Sequence, residues 1–158
     1  IIASTTVNGG ARDSLFVNVT RTTGPLLRAD VTRVSYARNV DFSVTLYLDT
    51  RGATVGAADM VFTWPSNLGT PSLLRLNATQ PGVTGNPAIT SDPGSGTTRI
   101  SIASATGMTG LILLGRFDFT PLNFGTSQLV LRFNDLLDPT QQSLLGNASA
   151  LQYPVVIR

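Results

Sequence analysis

The segment from Phe42 to Leu48 constrains the fold of this chain more than any other feature, because its apolar and polar residues alternate strictly. Such a period of two predicts a β-strand with one buried face. The turn residues Asp49 to Gly52 follow, and a second segment, Met60 to Pro65, carries large apolar side chains. We expect the two segments to be strands at the heart of a β-sandwich. The predicted buried face of the first consists of Phe42, Val44, Leu46 and Leu48, and the outer face of Ser43, Thr45 and Tyr47.

Similar strand patterns recur along the chain and are separated by turn residues. The longest interruption, Asn77 to Thr98, is rich in Gly, Pro and Asn, and predicts a surface excursion with at most one short strand near residues 88–90. A helical turn is expected between Asp135 and Gly146. We therefore predict an all-β fold, a jelly-roll or Ig-like β-sandwich of two antiparallel sheets with an additional N-terminal strand or arm. The other predicted strands are Leu15–Thr20, Val31–Ala37, Ser72–Leu76, Arg99–Ala103, Leu111–Thr120, Gln128–Phe133 and Tyr153–Ile157.

The inward positions of these strands predict the hydrophobic core. Trp64 ends a core strand just before Pro65, and we expect its ring to be packed. Tyr47 points away from the core series and is the better candidate for the exposed ring that a sugar-binding surface needs. The predicted core residues are Phe42, Val44, Leu46, Phe62, Ile100, Ile102, Phe117, Phe119, Leu129 and Leu131.

The composition removes most catalytic chemistry. The 158 residues include no Cys and no His, the 11 basic residues are all Arg, and the 9 acidic residues are all Asp. A Ser nucleophile would have no His or Lys as a base. An acid–base pair could be built only from two of the Asp residues. Because the Asp residues are scattered, mostly beside turn residues, we predict that the protein is not an enzyme.

Charge and hydropathy narrow the possible partners and locations. The formal net charge of +2 is too small to indicate nucleic-acid binding, and no basic stripe is interleaved with aromatic residues. No apolar run reaches the length of a membrane span. The chain begins at Ile1, which we interpret as a mature form after removal of a leader peptide, or as an excised fragment. We expect an extracellular or cell-surface protein.

Asp135 and Asp138, with Asn134 beside them, form the acidic cluster that could hold a metal ion. Hard oxygen ligands on one loop suit calcium, although the spacing matches no established calcium loop. The alternative is that these carboxylates cap nearby backbone N–H groups. We predict no metal and no cofactor, and Asp135 and Asp138 are the candidate ligands should calcium bind.

Three Asn residues, Asn18, Asn77 and Asn147, fit the N-glycosylation acceptor pattern. Coincidental matches are expected in a chain this rich in Asn, Ser and Thr. Asn77 lies in the predicted surface excursion, so we expect it to be the preferred site of modification.

Several segments of the chain follow one another in an order known from a protein family. They are the strand Phe42–Leu48, the turn Trp64–Leu68, the strand Arg99–Ala103, the run Gly110–Phe119, and the turn and strand Gly125–Leu131. In this order they resemble a cohesin domain, the jelly-roll module of cellulosome scaffoldins, from about Val34 to Arg158. The Pro-Ser-Asn-Leu turn stands where cohesins tend to carry a Tyr-Asp-Pro-like turn. The resemblance implies a module that receives a helical dockerin-like partner on one sheet face.

Three functions stay open at this point. The first, which the low-charge surface rich in Thr and Asn favours, is a non-enzymatic extracellular structural subunit whose copies assemble into a surface filament by β-strand exchange. The second is a cohesin-type protein-binding module. The third is a carbohydrate-binding module with a polysaccharide partner.

The filament hypothesis depends on the N-terminal segment, which has no counterpart in the cohesin pattern. We divide the chain into a strand or arm, residues 1–24, and a sandwich domain, residues 25–158. Leu15, Val17 and Val19 alternate as the buried face of a strand would, and an extended arm can complete a neighbour's sheet. We hypothesise that Ile1–Thr23 pairs with another subunit. The alternative is that this arm folds back onto its own domain as a first strand.

Overall fold

A computed structural model describes residues 23–31, 35–74, 84–85, 88–93, 96–148 and 151–158 of the protein. Within these ranges the chain forms ten strands and two short 3₁₀ turns, Ser66–Leu68 and Leu145–Asn147. The second turn overlaps the end of the range Asp135 to Gly146, in which a helical turn was expected. The strands are β1 (Leu26–Val31), β2 (Ser35–Tyr36), β3 (Phe42–Asp49), β4 (Val55–Thr63), β5 (Ser72–Leu74), β6 (Ala88–Pro93), β7 (Thr97–Met108), β8 (Leu111–Phe119), β9 (Gly125–Leu137) and β10 (Leu151–Ile157).

The strands form two sheets, as predicted for an all-β sandwich. The four-stranded sheet has the order β1-β3-β8-β5, and the six-stranded sheet has the order β2-β10-β9-β4-β7-β6. Strand pairs in both sheets are antiparallel except β2 with β10, where Ser35 lies opposite Val156 in a parallel pair. β3 and β4, the strands expected at the heart of the sandwich, each lie inside one sheet with a neighbour on both sides.

The core lies between the two sheets and confirms the predicted facing of the strands. All ten predicted core residues are buried, with at most 5% of their surface exposed. Trp64 is also buried, and its ring centroid lies 6.0 Å from that of Phe119 on the opposite sheet. Phe62 and Phe117 make a similar contact between the sheets at 4.9 Å. These aromatic contacts hold the two sheets together through buried apolar area and ring–ring geometry.

The first part of the sandwich differs from the prediction. A single strand was expected over Val31–Ala37, whereas Val31 belongs to β1 of the four-stranded sheet and Ser35–Tyr36 form β2 of the six-stranded sheet. Residues 32–34 between them lie outside the described ranges. β1 forms because Leu27 pairs with Leu48 of β3 and is buried in the core. Adjacent leucines at its start and the charged residues Arg28 and Asp30 obscure the period of two in the sequence.

Other strands are longer than predicted. β4 begins at Val55 rather than near Met60, and β7 and β9 continue to Met108 and Leu137. The additional residues pair across the sheet, as Val55 does with Met108 and Ala57 with Leu137. Small residues such as Ala57 carry a weak strand signal, so the partner strand rather than the local sequence decides where β4 starts.

Several predictions fall on residues outside the described ranges. These include the arm with Leu15, Val17 and Val19 and the glycosylation sites Asn18 and Asn77. The division of the chain at residue 24 stays a prediction. Asn147 belongs to the second 3₁₀ turn, and its glycosylation stays a prediction. In the described part of the chain, no helix has the length and apolar character needed to cross a membrane.

Candidate interaction face

The outer surface of the six-stranded sheet is built from side chains that alternate with core residues on β4, β7 and β9. On β4, Met60 and Phe62 are buried, so Asp59 and Val61 point to the opposite surface. β4 has β7 on one side and β9 on the other. The outward side chains of β4 therefore lie in the middle of a broad sheet surface rather than at an edge.

Asp59 organises a group of polar side chains on this surface. Its Oδ1 accepts hydrogen bonds from Arg99 Nε at 2.7 Å and from Ser101 Oγ at 3.1 Å. Its Oδ2 accepts a hydrogen bond from Asn134 Nδ2 at 3.2 Å. We call these four residues the Asp59 cluster. One carboxylate thus connects the side chains of three neighbouring strands.

The register of the sheet explains how these residues meet. Ser101 of β7 lies directly opposite Asp59, and Arg99, two residues away, reaches the carboxylate diagonally with its longer side chain. On the other side, β9 has an irregular register next to Asp59, which inserts Asn134 as an extra residue. Such a β-bulge redirects a side chain, and here it brings the Asn134 amide to Asp59.

The electrostatics of the Asp59 cluster favour an ionised carboxylate. The hydrogen bond from Arg99 is the largest cause that holds the pKa of Asp59 below its ordinary value, and the Asn134 and Ser101 hydrogen bonds act in the same direction against partial burial. The Asp59 side chain is only 17% exposed, whereas that of Arg99 is 66% exposed. A partner on this surface would therefore meet the Arg99 guanidinium, held in place by a carboxylate beneath it. Arg132, opposite Val61, is exposed on the same surface.

The opposite surface of the sandwich carries a similar but smaller arrangement. On the outer face of the four-stranded sheet, Asp118 Oδ1 accepts hydrogen bonds from Ser43 Oγ at 2.5 Å and from Arg116 Nε at 2.9 Å. These hydrogen bonds, that of Ser43 first, lower the pKa of Asp118. Asp118 is 38% exposed, so solvent screens this ion pair more than the one at Asp59.

The two aromatic residues that the sequence analysis weighed for sugar binding, Tyr47 and Trp64, are not presented to solvent as flat rings. Tyr47 lies on the outer face of the four-stranded sheet, as predicted, but it is half-buried. Burial is the main cause that raises the pKa of its phenol, followed by the charge of Asp30 and a hydrogen bond to it. Trp64 is buried in the core. Neither ring is presented flat to solvent, as stacking on a sugar requires.

The carboxylates predicted as calcium ligands bind backbone groups. Asp138 Oδ1 accepts hydrogen bonds from the Thr140 N–H at 2.8 Å and the Gln142 N–H at 2.9 Å, and Asp135 Oδ1 accepts one from the Leu136 N–H at 2.9 Å. This is the capping arrangement that the sequence offered as the alternative. No group of three or more acidic, His or Cys residues that could hold a metal ion occurs among the described residues. Calcium at Asp135 and Asp138 stays an untested possibility of the sequence.

A small apolar patch lies at one end of the sandwich. Val40, Leu122 and Phe124 are 54%, 47% and 64% exposed. The loops that carry them are joined by a hydrogen bond from the Asn39 N–H to the Pro121 carbonyl. The Arg38 guanidinium lies 5.6 Å from the centre of the Phe124 ring, a cation–π distance that leaves much of the ring in solvent.

Sequence reasoning missed the Asp59 cluster. It grouped Asn134 with Asp135 and Asp138, whereas in the structure the Asn134 amide meets Asp59. A usable signal was present, because Asp59 is a charged residue inside an apolar strand and alternates with buried neighbours. The sequence could not show which residues of other strands would lie next to it.

Comparison with solved structures shows that the fold is that of cohesin modules. A non-cellulosomal cohesin from the archaeon Archaeoglobus fulgidus superposes with a TM-score of 0.64 at 15% identity, over 85% of this chain and 91% of that protein. The cohesin module of a family 33 glycoside hydrolase from Clostridium perfringens gives a TM-score of 0.60 at 16% identity, over 87% of this chain and 98% of that module. A chain of a type I cohesin–dockerin complex from Clostridium thermocellum gives a TM-score of 0.59 at 11% identity. The match covers 84% of this chain and 99% of that one.

The protein thus contains a cohesin-like domain, which confirms the resemblance read from the sequence. No protein-family model and no curated protein matches the chain. At these levels of identity the likeness establishes the fold alone.

Proposed function

We propose that this chain is a non-catalytic protein-binding module of cohesin type, and that it receives a helical, dockerin-like partner on the outer face of the six-stranded sheet. The observation that carries the proposal is the superposition on cohesin modules over most of both chains, including a cohesin–dockerin complex. The sequence hypothesis of a binding module becomes the main proposal, and the filament becomes the alternative.

The Asp59 cluster favours this face over the opposite one. Its acceptor carboxylate is held by donors from two flanking strands, so Arg99 is positioned before a partner arrives. A preorganised side chain loses less conformational freedom on binding than a free one. Arginine is also enriched at the centres of protein interfaces. The surface around β4 therefore supplies a rigid, central anchor.

The exposed charges indicate the chemistry of the partner. Arg99 and Arg132 present guanidinium groups on this face. Guanidinium groups bind carboxylates in paired hydrogen bonds, and they also bind the free carbonyl groups at the C-terminal end of a helix. A helical partner with an acidic residue or a helix C-terminus at its contact surface would fit. We propose an extracellular or cell-surface location, where such modules would meet.

Calorimetric titration with a panel of dockerin modules tests the proposal. The panel should include the dockerin of the Clostridium thermocellum complex and dockerin sequences encoded in the genome that encodes this chain. We expect one member to bind, and Asp59→Ala to weaken that binding by about tenfold or more, because it releases the Arg99 anchor and the loss of a hot-spot contact costs about 2 kcal/mol or more.

Asp118→Ala is the matched control. Like Asp59, Asp118 accepts hydrogen bonds from one Arg and one Ser side chain, but it lies on the opposite sheet. It should leave the affinity within about twofold, as expected for a residue outside an interface. Binding that is lost in Asp118→Ala and kept in Asp59→Ala would move the site to the other face. A panel without any binding member would overturn the cohesin-type function.

The filament assembled by strand exchange is the alternative function. It is supported by the alternation of Leu15, Val17 and Val19 and by the position of β1 at a sheet edge. The mass of the purified particle decides between the proposals. A binding module should have the 16.7 kDa of one chain, whereas a filament should have a large multiple of it. Deleting the residues before Gly24 should leave the mass of a binding module near that of one chain. The same deletion should disperse a filament into single chains.

A further inference from the structure

Three exposed apolar side chains lie at one end of the sandwich, and we call them the Phe124 patch: Val40, Leu122 and Phe124. The most exposed is Phe124, at 64%, and the Arg38 guanidinium lies 5.6 Å from the centre of its ring. Apolar side chains that are exposed as a group mark interaction sites, whereas single ones need no explanation. Loops carry the patch, one between β2 and β3 and one between β8 and β9, so it is separate from the outer face of the six-stranded sheet.

Arg38 is an exposed cation that has no carboxylate partner in the described part of the chain. The ion pairs between described residues are Arg28 with Asp49, Arg99 with Asp59, and Arg116 with Asp118. Asp41, the carboxylate of the same loop, accepts a hydrogen bond from the Thr120 hydroxyl at 2.6 Å. The Arg38 guanidinium therefore keeps its N–H donors for a ligand. Its planar shape suits a carboxylate, which such a group binds through two parallel hydrogen bonds.

Polar side chains alternate with the apolar ones in both loops. Asn39 precedes Val40, and Asn123 lies between Leu122 and Phe124. Among the residues that the structure describes, neither Asn side chain has a hydrogen-bond partner. Each amide offers two N–H donors and a carbonyl acceptor. The patch thus combines an exposed aromatic ring with groups that can bind hydroxyl groups.

Backbone hydrogen bonds hold the two loops in place before any ligand arrives. The Asn39 N–H donates to the Pro121 carbonyl at 3.0 Å. The Asn67 carbonyl accepts hydrogen bonds from the Leu122 N–H at 2.8 Å and the Asn123 N–H at 3.3 Å. Binding residues commonly lie on loops that a rigid scaffold positions, and a site held in this way loses little conformational freedom on binding.

We propose that the Phe124 patch binds an acidic polysaccharide. A uronic acid unit places the C–H groups of one ring face on Phe124 and its carboxylate on the Arg38 guanidinium. Its hydroxyl groups bind the Asn39 and Asn123 amides. Such contacts combine apolar area with a few directional polar groups, as ligand sites generally do. The proposal is independent of the proposed partner on the six-stranded sheet, because that partner contacts other residues.

The polar groups of the patch favour a sugar over a membrane surface. Insertion into lipid would take the Asn39 and Asn123 amides and the Arg38 guanidinium out of water without supplying hydrogen-bond partners, which is costly. Sugar hydroxyl groups supply those partners. The charge of Arg38 favours an acidic sugar over a neutral one, because a bound carboxylate neutralises it.

A second copy of the chain fits the patch less well than a sugar does. A standard interface between proteins uses about 20–30 residues on each side. The Phe124 patch and the polar residues beside it, Arg38, Asn39 and Asn123, are far fewer. A surface of this extent suits a short stretch of sugar units.

Calorimetric titration of the full chain with polygalacturonate tests the proposal. The matched control polymer is methyl-esterified polygalacturonate, which keeps the sugar rings and removes the charge of the carboxylates. Physiological ionic strength screens the general attraction between a cationic protein and a polyanion. We expect the chain to bind the ester about tenfold more weakly than the acid, because the ester cannot form charge-assisted hydrogen bonds with Arg38.

Variants separate the role of the ring from that of the charge. Phe124→Ala should weaken binding of polygalacturonate by about fivefold or more, and Phe124→Tyr, which keeps the ring, should leave it unchanged. Arg38→Gln should weaken it by about tenfold. The control Arg51→Gln removes the same charge from an exposed turn between β3 and β4, at the opposite end of β3 from the patch. It should change the affinity by less than about twofold.

Three results would overturn the proposal. They are a wild type that does not bind polygalacturonate, equal affinity for the acid and the ester, and equal losses in Arg38→Gln and Arg51→Gln, which would indicate nonspecific attraction. Sedimentation with phosphatidylserine vesicles that Phe124→Ala abolishes would instead assign the patch to a membrane surface. A particle mass above the 16.7 kDa of one chain, reduced to that value by Phe124→Ala, would assign it to a second copy.

Discussion

Arg99 Nε lies 2.7 Å from Asp59 Oδ1, although the two residues are not direct partners in the sheet. The direct partner of Asp59 on β7 is Ser101, and Arg99 is the diagonal neighbour two residues along. The carboxylate therefore accepts hydrogen bonds from two residues of β7 with one oxygen, and from Asn134 of β9 with the other. Removing this one side chain should affect three strands.

The Asp59 carboxylate should make part of the stability pH-dependent. Hydrogen bonding, from Arg99 above all, lowers the pKa of Asp59 in the folded state from 3.8. Because the pKa of Asp59 is lower in the folded state than in the unfolded state, its charge stabilises the fold at pH values above the unfolded-state pKa. This stabilisation is lost as the pH falls through the folded-state pKa. We expect Asp59→Asn to cost about 0.5–1 kcal/mol at neutral pH, because Arg99 is largely exposed and solvent screens the pair.

Urea unfolding at a series of pH values measures this effect. The difference in unfolding free energy between the wild type and Asp59→Asn should shrink as the pH drops below 3.8, the ordinary pKa of the group. Asp118 and Asp138 also have lowered pKa values, so the variant keeps some acid sensitivity. A difference that does not change with pH would mean that the Asp59 charge is not stabilised in the fold.

Truncation of a buried ring should cost far more than truncation of an exposed one. Phe117 is 1% exposed and Phe124 is 64% exposed. We expect Phe117→Ala to lower the unfolding free energy by about 3–5 kcal/mol, because it removes apolar contacts and leaves a cavity between the sheets. Phe124→Ala should cost about 0.5–1 kcal/mol through the lost contact with Arg38. Equal urea midpoints for the two variants would show that the facing of β8 is wrong.

Gly56 should be intolerant of a side chain. A Cβ atom at this position would lie 2.6 Å from the Asp138 carbonyl oxygen and 2.7 Å from Pro139 Cα, and these backbone atoms cannot rotate away. We expect Gly56→Ala to cost about 1–3 kcal/mol, as overpacked positions do. Gly146, where a Cβ would meet nothing within 4 Å, is the control, and Gly146→Ala should be neutral or slightly stabilising. Chemical denaturation of both variants distinguishes these outcomes.

The Asp138 loop should be stabilised by hydrogen bonds and should not respond to calcium. Asp138 Oδ1 accepts bonds from the Thr140 N–H, the Thr140 hydroxyl and the Gln142 N–H. Calcium needs six to eight oxygen ligands, and this oxygen is already occupied. We expect Asp138→Ala to lower Tm in the absence of metal, and millimolar calcium to leave the wild-type Tm unchanged. A calcium-dependent rise in Tm that Asp138→Ala abolishes would instead support the metal site.

The strands that could be predicted are those whose own residues alternate. In β3, Phe42 and Val44 are buried and Ser43 faces outward, as the sequence indicates. β1 escaped prediction because Leu27 reaches the core only through pairing with Leu48. Its apolar residues are too few to reveal the strand without the sheet beside it.

The candidate interaction face could be predicted only in part. The outward position of Asp59 follows from the alternation of β4, but its partners do not. Arg99 is 40 residues away along the chain and Asn134 is 75 residues away. A bulge in β9, which no residue type announces, brings the Asn134 amide to the carboxylate.

The sequence by itself determined which side of each alternating strand is buried, because a period of two and the hydrophobic effect act within a few residues. It also determined that His, Cys, Lys and Glu chemistry is absent. Only the tertiary structure decided that consecutive strands β3 and β4 belong to different sheets, and that Asp59 meets Arg99 and Asn134. Strand order and register arise from backbone pairing between distant segments, and that pairing depends on how the described strands pack together around one core.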